Sequence, residues 1–107
     1  MAIAAINGPA NCVISGERAD VSAIADRFAS MGRRVKSLLV SHAFHSPMMD
    51  PVLDEFEREL SSVRYSAPTT SLISNLTGEV ADLSRIGCAS YWREHLRHPV
   101  RFAQSMQ

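Results

Sequence analysis

The period of the apolar positions changes several times along the chain, and each change marks an element. Residues 2–8, Ala-Ile-Ala-Ala-Ile-Asn-Gly, and 11–15, Asn-Cys-Val-Ile-Ser, are short and largely apolar, with Gly8-Pro9-Ala10 between them. Gly-Pro is a turn dipeptide, so the pair predicts a β-hairpin whose strands are buried on at least one face. From Glu17 to Met31 the spacing shifts: Val21, Ile24, Phe28 and Met31 recur at i, i+3, i+7 and i+10, with Ala25 beside them. That is one face of an amphipathic helix. Glu17 and Asp20 suit the positive end of its dipole, and Gly32 suits its C-terminal cap. Residues 33–40, with Val35, Leu38, Leu39 and Val40 as apolar members, then predict a strand. The order is strand, strand, helix, strand.

A second amphipathic helix is predicted from Asp50 to Val63, with Met49, Val52, Leu53, Phe56, Leu60 and Val63 as its stripe. Two start signals compete, Ser46-Pro47 and Asp50-Pro51, each a capping residue followed by proline. Residues 71–75 predict a short strand closed by Thr77-Gly78, residues 80–87 a loop, and residues 89–97 a helix with Tyr91, Trp92 and Leu96 on one side. His98-Pro99 breaks that helix, and Val100–Met106 starts another. The pattern contains no repeat and no terminating signal, so the chain reads as part of something longer.

Composition narrows the classes. At 107 residues, 46% hydrophobic and 21% charged, the chain is neither disordered nor membrane-like. Its formal net charge is zero, with the signs interspersed, which argues against nucleic acid as a partner. No apolar run has the length of a membrane span, and Met1–Ile6 lacks the basic flank of a secretion signal. A cytoplasmic setting is expected. Cys12 and Cys88 fit no C-x-x-C pattern, and two buried thiols are expected rather than a disulfide.

The stretch densest in chemistry is Ser41-His42-Ala43-Phe44-His45-Ser46-Pro47, between a predicted strand and a helix N-terminus. Such a loop is anchored on both sides and often carries catalytic groups. The positive end of the following helix disfavours imidazolium at His45, which suits a general base. Two histidines three apart in a loop are also common as plain surface or packing residues. A zinc site built from His42, His45, Cys88 and His95 would match no usual ligand spacing. No serine stands in a G-x-S-x-G elbow; Ser41 reads as a strand end and Ser46 as a helix cap. His98, beside Pro99, is expected to face solvent or a partner surface.

Four ordered motifs resemble the malonyl-CoA-type acyltransferase domains of type I polyketide synthases. They are Ala2–Pro9 with Val13-Ile14-Ser15-Gly16, then Val40–Pro47 with Met49-Asp50-Pro51, then Ser74–Gly78, then Tyr91-Trp92 through His98-Pro99-Val100-Arg101-Phe102. The resemblance implies an enzyme of the transacylase type that moves a malonyl unit from coenzyme A to the phosphopantetheine thiol of an acyl carrier protein, with no bound cofactor or metal. A serine on a G-H-S-x-G elbow carries the acyl group, and His45 is the residue implied to activate it. The family has no triad carboxylate; a backbone carbonyl, implied here to be that of His95, holds the imidazole. His42-Ala43-Phe44-His45 stands at the extender-unit signature, so His42 and Phe44 are implied specificity residues. Phe44 in place of a serine would crowd an α-methyl group, indicating malonyl over methylmalonyl.

The implied fold is α+β, of the α/β family. Residues 1–41 would form part of a ferredoxin-like small subdomain, strand-strand-helix-strand. Residues 42–107 would form part of an α/β hydrolase-like acyltransferase body with the histidine loop. The serine elbow, a carboxylate-binding arginine, an oxyanion-hole glutamine and a downstream E-x-G-P segment have no counterparts in this sequence. The chain is therefore expected to be inactive alone, with the rest of the synthase and the carrier protein as partners. Two non-enzymatic alternatives remain: a ferredoxin-like binding module, or a remnant that docks carrier protein without transfer.

Overall fold

A computed structural model describes residues 1–107. The chain opens with strands β1 (Ala2–Gly8) and β2 (Asn11–Ser15), paired antiparallel from Ala2↔Ser15 to Gly8↔Asn11. The register slips between Ile3 and Ala5, leaving Ala4 without a partner on β2. This bulge serves the opposite edge of β1, where the Ala4 carbonyl accepts the Val100 N–H at 2.7 Å and Ile6 N–H donates to the Val100 carbonyl at 2.9 Å. A hairpin alone is marginal; this one gains a short parallel neighbour from the far end of the sequence.

Helix α1 (Arg18–Ser30) follows, and Gly32 ends it in the left-handed region at φ 78°. Its apolar stripe is formed but uncovered: no α1 residue is buried, and Phe28 is 47% exposed. Residues 33–40 form no strand, contrary to the expectation from Val35, Leu38, Leu39 and Val40. A strand needs a neighbouring ladder to complete its hydrogen bonds, and no strand of this chain lies beside these residues. Leu39 is fully exposed.

After the histidine loop, a 3-10 turn (Pro47–Met49) runs directly into helix α2 (Asp50–Ser61). Both start signals are therefore used. Pro47 opens the 3-10 turn, and Pro51 falls in the first turn of α2, where no N–H is missed. The strand expected over 71–75 is reduced to one antiparallel bridge, Ile73↔Val80, around a tight turn in which Gly78 N–H donates to the Ser74 carbonyl at 2.7 Å. The loop expected over 80–87 contains helix α3 (Leu83–Ile86), capped by the Asp82 carboxylate accepting from Ser84 N–H at 3.0 Å. Helices α4 (Ala89–Arg97) and α5 (Phe102–Ser105) complete the chain.

The buried cluster lies in this second half. Ala81, Ile86 and Tyr91 form it, with Leu76 and Trp92 packed against it. The Tyr91 and Ser74 hydroxyls share a 2.5 Å hydrogen bond, and Trp92 Nε1–H donates to the Ile86 carbonyl at 2.9 Å. The radius of gyration is 15.8 Å, against about 13 Å for a compact chain of this length. The molecule is elongated because much apolar surface has nothing to fold against. No helix is long and apolar enough to cross a membrane.

Candidate active site around His45

The loop that carries His45 is fixed from its C-terminal side. Ser46 is completely buried. Its hydroxyl donates to the Ala43 carbonyl at 2.6 Å and accepts from Met48 N–H at 3.3 Å, so it caps the 3-10 turn and closes the loop at once. His45, one residue earlier, has φ 59° and is the one non-glycine residue with positive φ. That conformation costs about 1–3 kcal/mol and persists only where the surroundings impose it.

The end of α4 imposes it. In an α-helix each carbonyl accepts from the N–H four residues on. The Glu94 carbonyl receives His98 N–H at 2.9 Å in this way. The His95 carbonyl would need the N–H of residue 99, which is proline and has none. The Leu96 carbonyl would need Val100 N–H, which β1 has taken through Ala4. Two acceptors are thus left open at the helix end, and His45 fills both. Its backbone N–H donates to the Leu96 carbonyl at 3.0 Å, and its ring Nδ1 lies 2.9 Å from the His95 carbonyl oxygen.

A carbonyl oxygen only accepts, so the proton of this bond sits on Nδ1 and Nε2 keeps its lone pair. Nδ1–H points at the carbonyl end of α4. An imidazole held in one tautomer, with a free acceptor nitrogen and a carbonyl placed to stabilise the charge it gains, is equipped to take a proton.

Around it stand aromatic rings. The His95 ring is centred 5.8 Å from that of His45, 5.8 Å from Trp92 and 6.2 Å from Tyr91. Burial in this nest pushes the His95 imidazole below its ordinary pKa, and the neighbouring His45 adds to the effect. His42 and Phe44 lie on the exposed side of the loop, edge to face at 5.7 Å. Ser41 and His98 are exposed.

The two thiols are also exposed, not buried as expected. Cys12 lies on the uncovered β2, and Cys88 precedes α4 at the surface, its Sγ–H donating to the Ser84 carbonyl at 3.3 Å. No group of three or more His, Cys, Asp or Glu side chains converges as a metal site would require.

Several participants escaped the sequence reading: the Leu96 carbonyl, the part played by Pro99, and a set of ion pairs between α2 and α4. Arg97 Nε donates to Asp50 at 2.8 Å, and one guanidinium nitrogen of Arg93 reaches both Asp54 at 2.5 Å and Glu57 at 2.8 Å. These bonds, Asp54 first, raise the Arg93 pKa above its ordinary value. A proline four residues after His95 was a legible signal for the open carbonyl.

The description of the acyl transferase domain family matches residues 1–107. The phenolphthiocerol synthesis polyketide synthase type I of Mycobacterium bovis is 56% identical over 103 residues, covering 96% of this chain and 5% of that protein. The acyltransferase domain from the second module of the salinomycin polyketide synthase superposes with a TM-score of 0.87 at 49% identity, over 97% of this chain and 24% of the other. A malonyl CoA-acyl carrier protein transacylase from Burkholderia pseudomallei superposes with a TM-score of 0.78 at 28% identity, over 97% of this chain and 35% of the other. The chain thus spans a small part of the synthase and about a quarter to a third of the solved acyltransferases.

Proposed function

The chain belongs to the acyl transferase domain family, in its type I polyketide synthase branch, and on that premise we propose that it supplies the histidine half of a malonyl-transferring active site. The observation that carries this reading is the double seat of His45 on the Leu96 and His95 carbonyls, which leaves Nε2 as the proton acceptor.

In the reaction proposed, Nε2 of His45 takes the hydroxyl proton of a serine contributed from outside residues 1–107. The serine oxygen attacks the malonyl thioester carbonyl, the tetrahedral intermediate collapses, and the coenzyme A sulfur leaves with the proton that His45 returns. The thiol of a phosphopantetheinylated acyl carrier protein then gives its proton to His45 and attacks the acyl-serine. His45 hands that proton back to the departing serine oxygen. The His95 carbonyl holds the tautomer throughout and stabilises the imidazolium formed at each proton transfer. No cofactor enters either step. His42 and Phe44, on the loop before the base, are read as the extender-selecting pair. Residues 1–41 are read as part of the small subdomain and 42–107 as part of the large one.

The test is His45→Ala in a complete acyltransferase domain that carries residues 1–107. Self-acylation by malonyl-CoA should fall by about two orders of magnitude or more; a rate within threefold (roughly 0.7 kcal/mol) of the unaltered domain refutes the assignment. Residues 1–107 alone should form no malonyl adduct by intact-mass spectrometry, since no serine lies on an elbow beside His45. A stoichiometric adduct would favour a nucleophile within this chain.

A further inference from the structure

The two hydrogen bonds that seat His45 join parts of the chain fifty residues apart, and their geometry depends on how α2 and α4 lie against each other. His45 reaches α2 through only the capping Ser46 and the 3-10 turn Pro47–Met49. The His95 and Leu96 carbonyls belong to the last turn of α4. Between these helices run the three ion pairs. Asp50, Asp54 and Glu57 stand at i, i+4 and i+7 on α2, and Arg93 and Arg97 at i and i+4 on α4, so each set lies along one face of its helix. Arg97 meets the start of α2, and Arg93 meets residues one to two turns further on. The helices are thus locked antiparallel, with His95 midway between the two arginines.

We propose that Arg97 and Arg93 are positioning residues for His45, their pairs with Asp50, Asp54 and Glu57 setting the register at which the His95 and Leu96 carbonyls meet the histidine loop. This rests on the reading of His45 as the proton acceptor. Stability is a poor account of these contacts. Asp50 and Asp54 are 57% and 83% exposed, while Glu57, Arg93 and Arg97 are half-buried; pairs with an exposed partner contribute little. Their value is geometric. N–H···O hydrogen bonds keep to about 2.7–3.2 Å and weaken steeply once the angle falls below about 120°, so a slide or tilt of α4 loosens its hold on the imidazole.

The experiment compares Arg97→Ala, Arg93→Ala and the exchange Asp50→Arg with Arg97→Asp in a complete acyltransferase domain that carries residues 1–107, rates being normalised to active sites titrated by the acyl-enzyme burst. Each alanine variant should lower kcat on the order of 10-fold, leave KM for malonyl-CoA within about twofold, and shift the imidazole nitrogen resonances of His45 away from the Nδ1–H tautomer. The exchange should restore both rate and tautomer, which keeps the idea testable should an alanine variant aggregate. Unchanged kcat per active site with an unchanged tautomer, in the alanine variants or in an exchange that fails to differ from Arg97→Asp alone, overturns the proposal. His45→Ala in the same series separates the two readings. If it is inactive while the arginine variants are normal, only the positioning role falls; if it is active, both fall.

Discussion

Residues 1–40 and residues 46–98 obey the same local rules and end in different physical states. The first region has a hairpin, a helix ended by Gly32 and an apolar stripe, yet Ala4 is its one buried residue. The second has elements no longer or more regular, but it holds the remaining buried residues and the network that seats His45. Local propensity writes a helix in either place. What differs is whether a complementary surface lies within reach of the chain. In the second region α4 meets α2 on one side and the Ala81–Ile86 segment on the other. In the first, no α1 residue is buried and residues 33–40 are exposed throughout. The histidine loop sits at the border and is seated on the Leu96 and His95 carbonyls of the second region, the first of these left open by the Val100–Ala4 bond to β1.

The largest effect should come from probing that asymmetry. Leu53→Ala removes a buried α2 side chain and should cost about 2–5 kcal/mol. That should erase amide hydrogen-exchange protection across α2 and α4 together. Leu39→Ala, at a fully exposed position, should change protection in residues 1–107 by less than about 0.5 kcal/mol. Equal effects of the two substitutions would mean that residues 33–40 pack against the second region in solution.

How far the sequence could be read follows the same division. The hairpin was legible from two apolar runs about a Gly-Pro turn, and α1, α2 and α4 from helical spacing, all of them properties of the segment itself. The strand expected over 33–40 does not form, because a strand exists only with a neighbour, and an apolar run cannot say whether one is present. The small helix α3 was hidden by its length, though Asp82 before it and Gly87 after it were its signals. At the site, His45 and the His95 carbonyl came from motif resemblance, while the reason for their meeting, a proline denying His95 its helical partner, was written in the spacing of residues 95 and 99. The Arg93 and Arg97 pairs depend on helix register, which no single segment encodes.

A middle-sized effect should appear on the exposed side of the loop. Phe44 and His42 pack edge to face next to His45, and the selectivity reading gives them the space beside the acyl α-carbon. In a complete domain that carries this loop, Phe44→Ser should relax the exclusion of methylmalonyl-CoA by about 1–3 kcal/mol in relative kcat/KM, since one methyl group is at issue. Adding His42→Tyr should move the ratio further. Competition between the two thioesters measures it. An unchanged ratio in both variants would confine the loop's role to His45 and detach selectivity from it.

The smallest effect is a pH dependence carried by His95. Burial among Tyr91, Trp92 and His45 lowers its pKa in the folded chain, while the unfolded chain keeps the ordinary value of about 6.5. Between the two values the unfolded state binds more protons, so stability rises with pH through that window. Above the ordinary value both states are neutral and the contribution vanishes; as pH falls through the window, folding increasingly pays to keep the ring uncharged. Asp82, held below its ordinary pKa first by its Ser84 hydrogen bonds, also loses stability on acidification, but only around and below about pH 4, so the windows separate. Thermal melts of a complete domain from about pH 7.5 to about pH 5 should show a shallow fall in Tm. His95→Asn, which removes the ring and keeps the backbone carbonyl that holds His45, should flatten part of that fall without abolishing acyl transfer. A slope identical to that of the unaltered domain would place the titrating group elsewhere, and loss of transfer in this variant would give the His95 ring a part in the chemistry beyond its carbonyl.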